Sequence, residues 1–296
     1  MTEPVVYLLA LTPAVLWGFT PILSKRGLAA GGTSVQAALV VVYVDTTLYV
    51  LALLATQGLD LFQTLSLAAG ALFFGAGVVG TGLGRLAIFQ GIDRVGASIN
   101  TAAVSIRPLF ATLMAAVLLG EPVGLHTAAG IVVLVVGLTL LAFSRGGDLT
   151  GWQPTDLAFP IAAAAFFATG NVARRFGLLT FTDVTLLEAV ALNEFGSLVG
   201  LTLYAVAAGR RDVVTGSAKT YAYFAGSGTI TAFALLALFA ALQRGRVAIV
   251  DPLAATAPLF TTVFAAVLLR DLERVTRRVV VSAALVVVGV AVITAL

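Results

Sequence analysis

Of the chain's 296 residues, 60% are hydrophobic and only 10% are charged, with a mean hydropathy of +1.07, whereas soluble domains carry about 25% charged residues. This composition excludes a water-solvated globule and makes lipid the solvent of the fold. With no cysteine, one histidine (His126) and a net charge of +3 scattered between apolar runs, no disulfide, metal site, cofactor or nucleic-acid partner is expected.

Apolar runs of spanning length, broken by Gly, Pro and charge, predict ten helices at 5–26, 34–57, 66–89, 96–119, 124–143, 156–176, 182–207, 219–242, 246–269 and 278–295. The first lacks a preceding basic segment and is long enough to span, so it is read as a retained helix rather than a cleaved leader. On it, Pro13, Trp17, Pro21 and Ser24 share one stripe, and Trp17 sits too deep to belong to an aromatic belt. The second run carries Asp45. The fourth carries Asn100, Arg107 and Pro108, the sixth Phe167 and Asn171, the seventh Glu194, and the ninth Pro258.

Shifting the chain by 150 residues lays Pro108-Leu109-Phe110-Ala111-Thr112 on Pro258-Leu259-Phe260-Thr261-Thr262, and Ala115-Ala116-Val117-Leu118-Leu119 on Ala265-Ala266-Val267-Leu268-Leu269. The same shift puts Trp17 on Phe167 and Phe74 on Phe224. The chain is therefore a doubled unit, with halves 1–145 and 146–296 separated at the polar, glycine-bearing stretch that begins at Ser144. Five helices per half is an odd number, so the halves enter the membrane from opposite sides, giving an all-α fold of two inverted five-helix repeats. Lys and Arg concentrate in the loops opposite the termini, which by the positive-inside rule favours termini outside; four of the helix-end cations, Lys25, Arg26, Arg174 and Arg175, are equally available to a transport pathway, so both orientations stay open.

An ionisable group at mid-membrane costs about 2.5–3.5 kcal/mol on insertion scales, so Asp45, Arg107 and Glu194 should face protein or water and have partners. Two readings follow. Either Arg107 receives a substrate carboxylate while Asp45 or Glu194 handles an ammonium or a coupling proton, with Glu194 favoured because Gly196 and Ser197 could admit water; or Arg107 pairs with the acids and locks the bundle. Trp17 and Phe167, facing each other across the pseudo-two-fold axis, would form an apolar cavity wall for a small solute. Pro108 and Pro258 remove intrahelical hydrogen bonds at equivalent places and are candidate hinges. Arg85, Glu188 and Asp251 are candidates for the cavity mouths. The uncharged fifth and tenth helices read as peripheral, their Gly130, Gly137 and Gly289 open to a homodimer contact, although a monomer is the default expectation.

The opening run from Pro13 through Trp17-Gly18 to Lys25, with a Pro-led fourth helix ending Leu119-Gly120-Glu121 and its echo from Pro258 to Leu269-Arg270-Asp271, resembles the drug/metabolite transporter superfamily, EamA-like branch. Where that branch usually carries an Arg in the second helix, this chain has Tyr43-Val44-Asp45, and Tyr43 is taken as a further substrate contact. The resemblance implies a secondary transporter of the inner cell membrane that exports small metabolites by alternating access, foremost amino acids with aromatic or other neutral side chains. Its rivals are efflux of drug-like or other small organic solutes and a non-transport membrane enzyme, for which no nucleophile elbow or His/carboxylate set exists.

Overall fold

The computed structural model describes residues 3–58, 61–63, 65–143, 151–210, 214–268 and 277–294. The boundary between the halves and the Leu269-Arg270-Asp271 motif lie outside the described residues. Among the described residues, ten helices are long and apolar enough to cross a membrane: α1 (Pro4–Ala29), α2 (Ser34–Gln57), α3 (Leu67–Val95), α4 (Ile99–Leu119), α5 (Leu125–Phe143), α6 (Pro154–Thr180), α7 (Leu186–Ala207), α8 (Ala218–Arg244), α9 and α10 (Arg277–Thr294). α9 has two segments, Val247–Ala254 and Ala257–Leu268. α3 runs to Val95 rather than ending at 89, and the chain then folds back at once: Gly91 and Asn100 touch, although nine residues of straight helix would hold them about 13.5 Å apart.

Local chemistry explains the ends. Thr33 with Gln36 and Thr185 with Glu188 form capping boxes at the starts of α2 and α7, satisfying amide groups that would otherwise lack partners. Glu188 is spent on that cap and is 4% exposed, which removes it from any cavity mouth. Gly120 closes α4 at φ 65°, a left-handed conformation open to glycine at little cost. Pro21 sits inside α1 without breaking it; the carbonyl it frees, on Trp17, accepts from the Thr20 hydroxyl at 3.1 Å.

Pro108 and Pro258 do break their helices. α4 is interrupted at Ser105 and Ile106 and α9 at Ala255 and Thr256, each Pro falling in the first turn of the segment that follows. The two interruptions match bond for bond: Ile106 N–H donates to Ala103 and Leu109 N–H to Ile106, as Thr256 does to Leu253 and Leu259 to Thr256. A shared sequence produces a shared break because proline lacks the donor that would continue the ladder and disfavours helix in the residue before it.

The repeats interlock. α1 packs on α8 and α9 of the other repeat, and α6 packs on α3 and α4 in the inverted equivalent. Glycine sets the closeness of these crossings. Residues Gly77–Leu83 of α3 are wound as a π-helix lying against α6 and α7, with a Cβ on Gly80 falling 2.6 Å from the Gly170 Cα and one on Gly77 overlapping the Asn193 carbonyl oxygen. Gly196 meets Phe74 in the same way, so the small face of α7 is a helix contact and not a water path. Gly130, Gly137 and Gly289 are likewise consumed within the chain: a Cβ on Gly137 would sit 2.7 Å from the Val286 amide and one on Gly289 2.6 Å from the Leu134 amide, where α5 crosses α10. They are therefore not available to a partner subunit.

Gly77→Ala should lower stability by about 1–3 kcal/mol, the usual penalty of overpacking, because its methyl would meet backbone rather than a movable side chain. Gly75→Ala, whose methyl would meet nothing within 4 Å, should be neutral. Thermal unfolding of both variants in the same detergent checks the contrast, and equal melting temperatures would contradict the close crossing.

Candidate functional site

Between the repeats lies a cavity of 470 Å³, within the range of small-molecule sites. Its walls follow the pseudo-symmetry. α3 contributes Thr81, Arg85 and Ile88 and α8 contributes Thr231, Leu235 and Leu238, which are their respective mates in the other repeat. Trp17 on α1 and Phe167 on α6 are a third such pair. At one end the lining includes Leu28, Ser34 and Ile92, close to the ends of α1, α2 and α3, so the cavity reaches the membrane face opposite the termini. Ser24 and Ser227, from α1 and α8, approach to 3.4 Å along this wall.

Five helices build a polar ladder at the inner end of the cavity. Arg107 Nε lies 3.2 Å from Asp251 Oδ2, and its Nη2 donates to the Asp251 carbonyl at 3.4 Å. The other Asp251 oxygen accepts from Asn171 Nδ2. Asn171 Oδ1 accepts from Arg174 Nη1 at 2.7 Å, Arg174 Nη2 donates to Thr81 at 2.7 Å, and Arg174 Nε donates to Asn193 at 2.9 Å. Asn193 Nδ2 in turn donates to Glu194 Oε1 at 2.8 Å. The ladder thus joins α4, α9, α6, α3 and α7, and Arg174 also stands 5.4 Å above the Phe239 ring.

Beside its far end, Asp45 on α2 and Glu194 on α7 are both 0% exposed. They lie within electrostatic reach of each other and of Arg85 on α3. Neither Asp45 oxygen, nor Glu194 Oε2, nor Arg85 Nη1 has a hydrogen-bond partner among the described residues. The two acids are screened from the cavity, whereas Arg85 forms part of its wall.

The residues singled out from sequence divide accordingly. Trp17, Ser24, Arg107, Phe167 and Asn171 meet at the cavity wall. Pro21 and Asn100 do not line it; Asn100 is 3% exposed and packs against Gly91. Tyr43 is 62% exposed on the outside of the bundle and cannot touch a cavity solute, because it sits on the face of α2 opposite Val42 and Asp45, both fully buried. The pairing of Arg107 with Asp45 or Glu194 is replaced by Arg107 with Asp251. Asp251 lies at the break of α9 and is fully buried, not at a cavity mouth, while Glu194 and Asp45 belong with Arg85. Sequence reasoning missed Thr81 and underplayed Arg174 and Asn193. The signal for the first was the glycine density of α3 between Gly70 and Gly84, which marks backbone approach to neighbouring helices.

On the face that bears the N-terminus the cavity is sealed. The larger apolar cluster fills this half, with Val6, Leu53, Phe73, Phe239, Leu242 and Val247 all buried. Over it lies a charged clasp: Arg175 Nη1 donates to the Leu242 and Gln243 carbonyls at the end of α8, at 2.6 and 2.9 Å. Its Nε lies 3.4 Å from Glu121, whose other oxygen accepts from the Ala248 amide in the first turn of α9 at 3.5 Å. Cation at a helix C-terminus and anion at a helix N-terminus both match the helix dipoles. Burial pushes the Glu121 carboxyl above its ordinary value of 4.5, against the opposing attraction of Arg175 and the α9 backbone donors. Arg246 completes the clasp by donating to the Pro122 carbonyl at 2.9 Å.

No curated protein matches the chain in sequence. In fold, 29 chains of solved structures match. One crystal structure superposes with a TM-score of 0.78 over 98% of this chain and 96% of that chain, at 20% identity, a likeness of fold alone. The model of the EamA-like transporter family matches twice, over residues 4–143 and 155–295, one match to each run of five helices. A duplicated ten-helix bundle, a cavity between its repeats and this double match agree, and the chain belongs to the EamA-like transporter family, of the drug/metabolite transporter superfamily.

Proposed function

We propose that the protein is an alternating-access exporter of small metabolites in the inner cell membrane, with amino acids bearing aromatic or other neutral side chains as its foremost substrates. The observation that carries this reading is the one-sided cavity: it reaches the face opposite the termini, while apolar packing and the Glu121–Arg175 clasp close the other. Trp17 and Phe167 supply the apolar wall that an aromatic or aliphatic side chain needs, and Ser24, Asn171 and the guanidinium groups supply polar contacts for its backbone-like end. Exchange of access then consists of loosening the clasp and closing the opposite end, with the equivalent breaks before Pro108 and Pro258 as the points where α4 and α9 bend. Asp45 and Glu194 are the groups proposed to exchange a coupling proton. In proteoliposomes, uptake of a panel of amino acids should be saturable and stimulated by a pH gradient, and Glu194→Gln should lose the stimulation. Absence of uptake across the whole panel would reject the amino-acid reading, and unchanged stimulation in the variant would remove Glu194 from coupling.

Arg107 is both a wall residue and half of a buried ion pair, and its variants separate those roles. Arg107→Ala leaves Asp251 without its cation, at a cost of about 3–5 kcal/mol, so the melting temperature should fall steeply. Replacing Arg107 and Asp251 together by Leu should recover part of that loss, since no charge is then left unpaired although Asn171 Nδ2 loses its acceptor. Recovery of stability without recovery of uptake would assign the Arg107–Asp251–Asn171 group a role in the cavity as well as in the frame.

The clasp is tested with the chain's own lack of cysteine. Val6 is 1% exposed and packs at Gly245, under the clasp. A single Val6→Cys thiol should react slowly with a soluble maleimide, and severalfold faster once Glu121→Ala and Arg175→Ala are added. Equal labelling rates would show that the clasp does not hold this face shut.

A further inference from the structure

Among the described residues, three guanidinium groups line the cavity: Arg85, Arg107 and Arg174. Two are engaged by the protein itself. Arg107 spends Nε and Nη2 on Asp251, and Arg174 spends Nε, Nη1 and Nη2 on Asn193, Asn171 and Thr81. Arg85 is different: it lines the cavity without a hydrogen bond to any described residue, and of its nitrogens only Nη1 is shut away from the open space. The nearby acids do not supply one, since both Asp45 oxygens and Glu194 Oε2 are themselves unpartnered. A buried donor left unpaired is costly, and such groups in folded proteins ordinarily have a partner or a use.

The pseudo-symmetry provides an internal control on what the frame requires. Arg85 occupies the place on α3 that Leu235 occupies on α8, and the residues on either side of the pair, Thr81 with Thr231 and Ile88 with Leu238, stay alike in character. The architecture therefore accepts an apolar side chain at this position, and the cation is a local addition made together with the acids beside it, since Asp45 and Glu194 correspond to Phe195 and Val44. Its setting suits an amphipathic ligand. The Phe167 ring packs on α3 at Gly84, the residue before Arg85, 3.0 Å from where a Cβ would stand, so an aromatic surface and the guanidinium line the same cavity.

Resting on the transporter reading above, we propose that Arg85 is the anion anchor of the cavity, receiving the carboxylate of a small organic acid or zwitterion in a bidentate contact while the solute's apolar body lies between Trp17 and Phe167. This moves the carboxylate contact from Arg107, which is held by Asp251, to the edge of the Arg85 guanidinium that lines the cavity, its buried Nη1 lying away from the open space. Planar fork geometry is what a guanidinium offers a carboxylate and an ammonium does not.

The test uses paired probes that differ only at the acid: benzoate against benzamide, and L-phenylalanine against L-phenylalaninamide. Binding to the purified full chain is read by the fluorescence of Trp17 in a Trp152→Phe background, since these are its two tryptophans. The wild type should bind at least one acid about 10- to 100-fold more tightly than its amide, the range of charge-assisted hydrogen bonds. In Arg85→Gln that preference should vanish while amide binding persists, which shows the cavity intact. Should Arg85→Gln fail to fold, Arg85→Lys decides: it keeps the charge and loses the fork, and the preference should drop severalfold. No acid preference in the wild type, including binding of neither member of both pairs, overturns the anchor, as does an unchanged preference in Arg85→Gln or Arg85→Lys. Flux of the same probes separates the two claims. Arg85-dependent acid binding with no flux of any solute keeps the anchor and rejects transport, whereas flux with no acid preference keeps transport and rejects the anchor.

Discussion

A charge inside a bilayer is tolerable only beside its opposite, and the ion pair of Arg107 with Asp251 ties the centre of this molecule together. Each partner stands next to an interruption, Arg107 at the start of the second segment of α4 and Asp251 in the last turn before the break of α9. The pair thus bridges the two places where backbone hydrogen bonding is weakest, and it does so between different repeats. Around it, Asn171, Arg174, Asn193 and Thr81 satisfy the remaining donors and acceptors one after another. Removing any one member leaves a buried polar group without a partner, so the ladder holds or fails as a unit.

Upon this centre the duplication lays a symmetric frame, and the side chains then break the symmetry. The breaks of α4 and α9 are equivalent, as are the rows that α3 and α8 present to the cavity. The chemistry is not: Arg85 corresponds to Leu235, Arg174 replaces the Ser24 of the first repeat, and Arg107 corresponds to Ala257. A frame of equal halves suits a bundle that must close at either face, while unequal walls give the cavity a polar side and an apolar side on which an amphipathic solute can be oriented.

Glycine allows the frame to be so tightly wound. The π-helical part of α3 lies backbone to backbone on α6 and α7, which brings Thr81 within reach of both Arg174 and Asn193. In lipid, where apolar side chains gain little by leaving their solvent for one another, such close approach supplies the dispersion and polar contacts that hold helices together. The same device seats α5 on α10 at the edge of the bundle.

Ten spans, the doubling and its inversion were legible in the sequence because hydrophobic length and an odd helix count per half are properties of the chain alone. So were the places of the two helix breaks, since proline acts on its own backbone, and the nearness of Trp17 and Phe167 to one cavity, since the repeat relates them. What sequence could not decide was partnership. Asp251 lies 144 residues from Arg107 (251 − 107), off the repeat shift, and only the crossing of α4 with α9 brings them within 3.2 Å. Tyr43 and Asp45 are two residues apart on one helix, yet one faces lipid and the other is buried, because the rotation of α2 is set by its packing on α7 and α8. A nearly uniform apolar helix carries no pattern that fixes its rotation, so which face turns inward was left to the tertiary structure.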